Sequence, residues 1–412
     1  MREMKDSGSE WIGQIANTHK LVRLKYIAEI LDEYRKPVTA QYRNQNADIL
    51  YDYYGASGII DKIDGYTIDD HVMLIGEDGA NLKLRNLPLM YEVCGKAWIN
   101  NHAHILKPMK NVDFYYLFYA LESLDINNYI TGSAQPKLNQ ENLKEILIPL
   151  PSYGIQRKVA SYLDTKCSEI DATAEDIQKE ISLLEDYKKS VITEAVTKGL
   201  NPDAEMKDSG IEWVGKVPVT WKIMPNKYIM TKKKVIKEVY DDENIISLSM
   251  NGVIVRDLEA GGKMPKTFDG YQIVYPGNLL MCLFDYDVTP RCIGLIKDYG
   301  VTSPAYSQFV MNNYNYSGYY YYYYLMIDHA KTLLHLAKNL RHSFTEEQLG
   351  AILAPVPTVE EQYQIVNYLD TKCSEIDTLI ADKKRQLDTL ADYKKSLIYE
   401  YVTGKKEVPV NE

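Results

Sequence analysis

Ten consecutive residues, Tyr162 to Asp171 (YLDTKCSEID), recur unchanged and in order at Tyr368 to Asp377, 206 positions later. A chain that repeats such a block builds one structural unit twice. The copies stay in register around it: Asp186 to Ser190 (DYKKS) returns at Asp392 to Ser396, and Ile146 to Pro151 (ILIPLP) at Ile352 to Pro357 (ILAPVP). Further upstream the offset is 202, pairing Lys5 to Gly8 (KDSG) with Lys207 to Gly210, and Glu10 to Gly13 (EWIG) with Glu212 to Gly215 (EWVG). Between these anchors the halves hardly match. A constant frame therefore holds variable content.

The repeat splits the 412 residues into two units of about 200, each long enough for its own core. With 45% hydrophobic and 25% charged residues, the composition is that of a globular protein. The start of the chain (MREMKDSGSE) has no apolar run, and no stretch approaches the roughly 18 apolar residues of a membrane span. A cytoplasmic location without a membrane partner is expected. Five cysteines without a CxxC pair give neither a disulfide framework nor a zinc site; Cys167 and Cys373 are equivalent positions of the repeat. The formal charge is -10 and no segment is strongly basic. If the chain touches DNA, a partner must supply most of the phosphate neutralisation.

From Val159 to Val196 the apolar residues fall on a heptad. Leu163, Ile170, Ile177, Leu184 and Val191 share one position, and Cys167, Ala174, Ile181 and Ala195 the other. The second copy keeps the pattern through Leu369, Ile376, Leu390 and Leu397 with Cys373, Ile380 and Leu387, although Lys383 and Lys394 interrupt it. Neither run contains Pro or Gly, so each reads as a helix on the order of 55 to 60 Å long. Each seam needs a mate. The nearest is the other copy, which predicts an antiparallel coiled coil.

The segments before each helix read as α/β domains. His71 to Gly76 (HVMLIG) and Gln272 to Tyr275 (QIVY) are strand-like and are followed by the turn signals Glu77-Asp78-Gly79 and Pro276-Gly277-Asn278. Asn111 to Leu124 and Gly318 to His335 turn helical. The second of these holds Tyr319 to Tyr324, six consecutive tyrosines, which are expected as packed core rather than as a base-stacking platform. Lys198 to Met206 (KGLNPDAEM) links the first helix to the second unit, and the tail after Thr403 would make an equivalent link back to Lys5. The chain reads as if circular, with its N-terminal segment near the end of the distal helix and a pseudo-twofold axis relating the halves.

Catalytic motifs are missing. Gly210 to Lys216 (GIEWVGK) imitates a phosphate-binding loop, but Val217 stands where Ser or Thr must hold magnesium, and the segment belongs to the repeat frame. No GxGxxG occurs, and no two prolines are adjacent, which removes the Asn-Pro-Pro-Tyr type of loop used by amino-methyltransferases. Pro202 to Lys207 (PDAEMK) has the letters of a nuclease site crowded into a linker instead of drawn from separate strands. His102 and His104 stand at i, i+2 without a third ligand nearby.

Taken in order, these residues resemble the specificity subunits of type I restriction-modification systems, and the resemblance covers essentially the whole chain. It is carried by Glu10 to Gly13 and Glu212 to Gly215 opening each half, by Pro149 to Pro151 and Pro355 to Pro357 leading into Gln156 and Gln362, and by helices ending near Tyr187-Lys188-Lys189 and Tyr393-Lys394-Lys395. Gly55 to Asp61 (GASGIID), Gly76 to Ala80 (GEDGA) and Trp98 to Leu106 (WINNHAHIL) resemble blocks of one type of target-recognition domain. Gly252 to Leu258 (GVIVRDL), Tyr275 to Leu279 (YPGNL) and Thr302 to Tyr306 (TSPAY) resemble those of another. Two departures are small: His19 stands where the second copy has Trp221, and Tyr153 to Ile155 (YGI) replaces the usual acidic stretch before Gln156.

The resemblance implies an α/β (α+β) chain with a first target-recognition domain at 1–151, a central spacer helix at 152–198, a second recognition domain at 199–357, and a distal helix with its tail at 358–412. It further implies a subunit without a catalytic site of its own. Each domain would read one half of a bipartite site in double-stranded DNA, with the helices as a ruler that also docks two methyltransferase subunits. S-adenosylmethionine would come with those subunits, and ATP and magnesium with restriction and translocation subunits. The candidate base readers are Ser57, Asn81, Asn101, His102 and His104 in the first half and Arg256, Arg291, Ser303 and Tyr306 in the second, since Arg forks onto guanine and Asn onto adenine. Lys232 to Lys234 are candidates for phosphate contacts or a solvated face. The competing reading is a coiled-coil scaffold joining two protein-binding domains, which the acidic charge would suit.

Overall fold

The computed structural model describes residues 3–9, 12–39, 41, 48–132, 135–259, 265–312, 315–337 and 342–409. Glu10 and Trp11 of the first EWIG block lie outside them. The chain packs as two compact units, Met1–Ile177 with Arg385–Glu412, and Gln178–Lys384. Each unit therefore takes one variable domain and a stretch of both long helices.

In the first unit a six-stranded sheet is built from β1 (Ala28–Ile30), β2 (Tyr51–Gly55), β3 (Gly58–Ile63), β4 (Ile68–Gly76), β5 (Met90–Ile99) and β6 (Ala103–Pro108), in the order β1-β6-β4-β5-β2-β3. All neighbours are antiparallel except β2 and β5, where Asp52 faces Ala97 in parallel. The continuous apolar run in β4 has a simple cause. Met73 and Ile75 face a core shared with helix α1 (Phe114–Ser123), while Val72 and Leu74 face a second, smaller core. A strand buried on both faces cannot alternate polar and apolar residues. Helix α1 begins at Asp113, whose carboxylate accepts the Tyr116 amide at 3.0 Å.

In the second unit β7 (Met230–Lys233) begins a four-stranded sheet of order β7-β14-β11-β12, with β11 at Leu279–Met281, β12 at Ile293–Leu295 and β14 at Ser307–Met311. A separate hairpin joins β8 (Ile246–Ser249) to β9 (Gly252–Val255), and β10 (Gln272–Val274) pairs with β13 (Gly300–Thr302).

The two long helices are α2 (Tyr153–Lys198) and α4 (Val359–Val402). Within the first unit Tyr162 meets Tyr401 (hydroxyls 3.2 Å apart) and Asp171 meets Lys394 at 2.6 Å. Within the second, Glu180 meets Lys383 at 2.5 Å and Asp377 meets Lys188 at 2.6 Å. Rising numbers on one helix meet falling numbers on the other, so the helices are antiparallel in each unit. The two lysines that break the second heptad thus have a purpose: each places its ammonium on a carboxylate of the opposite helix.

The repeat frame fastens each domain to the helices by the same contacts. In the first unit Lys20–Arg23 pairs with Leu147–Leu150, and the buried Gln156 accepts the Asp113 amide at 2.9 Å and donates to the Pro151 carbonyl at 2.9 Å. In the second unit Lys222–Pro225 pairs with Leu353–Val356, and the buried Gln362 accepts the Tyr316 amide at 2.7 Å and donates to the Pro357 carbonyl at 3.1 Å. The N-terminal segment lies on the end of α4, as circularity predicts. Tyr399 donates to the Ile12 carbonyl at 2.8 Å, and the Ala16 amide to the Thr403 carbonyl at 3.0 Å. His19 is buried against Gly404, and in the second unit Trp221 is buried against Gly199, so a frame position that differs between the copies fills the same kind of site in both.

The tyrosine run lies in helix α3 (Ser317–His329). Tyr319, Tyr320, Tyr322, Tyr323 and Tyr324 are buried in the core of the second unit, and Tyr321 is half-buried. Their rings fill the core while several hydroxyls find acceptors, Tyr319 on the Val196 carbonyl and Tyr322 on Asp370. No described helix is long and apolar enough to cross a membrane.

Candidate nucleic-acid interface

The three blocks of the first domain are far apart in sequence, yet they converge at one end of its sheet. The turn Ala56–Ser57 between β2 and β3 lies against the end of β4, where a Cβ at Gly76 would stand 2.7 Å from the Ala56 carbonyl oxygen. The Glu77 amide donates to the His102 carbonyl at 2.8 Å, and the Asn100 amide to the Tyr54 carbonyl at 3.1 Å. Buried Asn100 ties the β5–β6 turn by accepting the His102 amide at 2.8 Å. Ser57, Asn101 and His102 emerge together and exposed on this end.

Beneath them lies a charge network that the sequence did not announce. Asp32 bonds His104 Nδ1 at 2.7 Å and Arg35 at 3.1 Å, Glu77 accepts from Arg35 at 2.5 Å and Lys137 at 3.0 Å, and Asp78 bonds His102 Nδ1 at 2.8 Å. Burial pushes the Asp32 carboxyl up, but the hydrogen bond and charge of His104, then Arg35 and the Ile105 amide, outweigh it and hold the group below the usual carboxylate range. Glu77 is likewise lowered against its burial by Lys137 and Arg35. Within this network Arg35 and Lys137 are each paired with a carboxylate, so their charge is spent on the loops themselves.

Burial removes His104 from the candidate readers. It is 1% exposed, and its Nε2 faces the Leu138 carbonyl at 2.8 Å, so it braces the loops from below. A strand would put His102 and His104 on one face, but His102 sits in the turn, where that alternation does not apply. The two rings serve different carboxylates and do not converge as ligands. Among the described residues no three His, Cys, Asp or Glu side chains form a metal-holding group. Asn81 is also committed: its amide donates to the Leu87 and Pro88 carbonyls at 3.2 and 3.1 Å and accepts the Leu87 amide at 2.9 Å, closing a loop.

In the second domain Arg256, Ser303 and Tyr306 gather where β9 ends beside β13. The Arg256 amide donates to the Ile245 carbonyl at 2.7 Å, Ile245 bridges Val301, and buried Gln272 donates to the Ser303 and Tyr306 carbonyls at 2.9 and 2.7 Å. Arg291 is at the other end of the β8–β9 hairpin. Its guanidinium is spent on the Met250 carbonyl at 3.0 Å, the Ile293 carbonyl at 3.1 Å and the Tyr321 hydroxyl at 2.5 Å. The sequence shows an arginine; only packing shows that it is a clamp. Of the lysine triplet, Lys232 pairs with Glu346, Lys233 stacks 3.6 Å from the Tyr275 ring centre, and Lys234 is exposed.

Comparison with known proteins gives one consistent result. Residues 17–183 match the family described as the type I restriction modification DNA specificity domain. A type I restriction enzyme specificity subunit of Haemophilus influenzae is 32% identical over 141 residues, which span 34% of this chain and 35% of that one. The MjaX specificity subunit of Methanocaldococcus jannaschii is 25% identical over 405 residues, covering 94% of this chain and 84% of the relative. A chain solved in a study of complex assembly and conformational transition of the type I R-M system has the same fold, with a TM-score of 0.68 at 13% identity over 95% of this chain and 99% of that one.

Proposed function

This chain belongs to the family of type I restriction-modification specificity subunits, and on that footing we propose that each variable domain reads one half of a bipartite DNA site while the helix pair sets the gap between the halves. The subunit is the DNA sequence-recognition component and carries no chemistry of its own. One observation carries the reading. The residues common to both halves are spent on fastening domains to helices, whereas the blocks that differ converge in the first domain on one exposed end of the sheet. What is shared builds; what differs is displayed.

Partners are supported by the same contrast. Tyr187 and Tyr393 are identical between the copies although they are 55% and 53% exposed, so packing gives no reason for their recurrence. A protein met once by each half does, and two methyltransferase subunits fit that role. We assign S-adenosylmethionine to those subunits, and ATP and magnesium to restriction and translocation subunits. The chain's part in that chemistry is to position double-stranded DNA, with phosphate neutralisation left largely to the partners.

The test is co-expression with the candidate methylating subunit followed by sequencing for methyl-adenine. The expected result is methylation at a split motif with a constant gap. An active complex that modifies no split motif would overturn the reading.

A further inference from the structure

The two domains share a feature that the repeat offsets hide. In the first, Gly55 pairs with Gly58 across the two-residue turn Ala56–Ser57; in the second, Ser249 pairs with Gly252 across the two-residue turn Met250–Asn251. The closing glycines have φ of +95° and +97°, a conformation that a side chain would strain. Each glycine also has a packed neighbour, the Tyr91 ring 2.8 Å from a Cβ built at Gly58 and the Arg291 guanidinium 3.6 Å from one at Gly252. The hairpin frame is thus kept in both domains, and its tip dipeptide is not.

The second tip is held stiffly. Arg291 binds the Met250 carbonyl while anchored on the Ile293 carbonyl and the Tyr321 hydroxyl, and the Ser249 hydroxyl accepts the Asn251 amide at 3.1 Å and donates to the Gly252 carbonyl at 3.0 Å. On this braced turn Met250 is 73% exposed, the most of any large apolar side chain among the described residues, and Asn251 is exposed beside it. An apolar side chain displayed on a preorganised hairpin has no role in the core. A two-stranded ribbon fits the major groove of B-DNA, where an Asn amide forks onto adenine N6 and N7 and an apolar group meets the thymine methyl.

We infer that the hairpin tips are specificity-determining elements, and that Met250–Asn251 reads adenine–thymine pairs in the major groove, with Met250 against a thymine methyl and Asn251 on an adjacent adenine. Arg291 is the positioning residue behind them. Ala56–Ser57 occupies the corresponding place in the first domain, with a smaller and less discriminating pair. The inference rests on the proposed DNA-reading role, and names the element and base pairs that role uses.

The test compares the wild-type complex with the complex carrying Met250→Ala and Asn251→Ser, a change at an exposed turn that should leave the denaturation midpoint unaltered. The methylated motif is mapped, and binding is measured to the site and to each single-base-pair variant of it. The expected result is that one or two adjacent A·T positions of one half-site lose preference by roughly 5- to 150-fold, while the other half-site and the gap are unchanged. Preference ratios that stay at wild-type values at every position, whether or not overall affinity falls, overturn the inference and leave the DNA-reading role intact. A wild-type complex without any preferred site overturns both.

Discussion

The Tyr319 hydroxyl donates to the Val196 carbonyl at 2.8 Å, capping the last turn of α2 from inside the second domain. Tyr116 stands at the end of α4 in the first unit, its one hydroxyl proton shared between the Pro149 carbonyl at 2.5 Å and the Val402 carbonyl at 3.0 Å. The final carbonyls of a helix have no partner within it, so a buried helix end needs an outside donor. Tyr319→Phe keeps the ring and removes the donor. It should cost about 1–3 kcal/mol, the range for leaving a buried acceptor unsatisfied. The exposed Tyr187→Ala should stay within about 0.5 kcal/mol yet weaken capture of a methyltransferase subunit. Denaturant titration and pull-down check the two together, and equal stability losses would contradict the division between capping and docking tyrosines.

Gln156 and Gln362 make a sharper case, because each uses both ends of its amide. Gln156→Ala leaves the Asp113 amide and the Pro151 carbonyl without partners in a site where Gln156 is 1% exposed. A loss of about 2–4 kcal/mol is expected from two orphaned groups. Gln156→Glu keeps the acceptor but turns a donor into a second acceptor against Pro151, so it should not rescue. Hydrogen exchange at the start of α1 reports the damage locally; wild-type protection there in the alanine variant would sink the assignment.

These contacts mark what was legible beforehand. The offsets of 206 and 202 announced the duplication, and the heptads announced the helices, because both are periodic and period survives without coordinates. The tyrosine run was legible as core, since a helix aromatic on every side has no polar face. The hairpin correspondence was not, because Gly58 and Gly252 are 194 positions apart and match neither offset. Nor were the fates of His104 and Arg291. Which atom a polar side chain spends itself on is a tertiary fact, and the same arginine can fork onto guanine or onto three groups of its own domain.

The loop network predicts an acid limb for the first unit. Asp32 and Glu77 are held below their ordinary values of 3.8 and 4.5, so their contribution is fully present above those values and is lost as pH falls below them. Glu122 runs the other way. Its burial outweighs the Met90 and Leu89 amides and Arg85 and raises it above 4.5, so its contribution is full below 4.5 and is lost as pH rises through the raised value. The first unit should therefore be most stable in mild acid and weaken below about pH 4.5. Asp32→Asn should flatten the acid limb and Glu122→Gln the neutral one. Denaturation midpoints between pH 3 and 8, read by exchange in β4 and β6, decide it, and an unchanged acid limb in Asp32→Asn would remove the network as its cause.

The helix pair makes the last prediction, and the ion pairs sharpen it. Lys394–Asp171 and Lys188–Asp377 join residues whose aspartates are 61% and 59% exposed, so each contributes at most about 1 kcal/mol and serves better to fix register than to stabilise. Four residues added at position 176 lengthen α2 by about 6 Å, a little over one helical turn. The contacts of each domain with its own helix ends do not involve that position, so both half-sites should be kept while the gap between them changes by one or two base pairs at roughly 3.4 Å each. Adding seven residues, a whole heptad, to both helices keeps the seam in phase and should change the gap with less loss of activity. Methylation mapping reads half-sites and gap at once. A variant that still methylates with the original gap would show that the helices do not measure it.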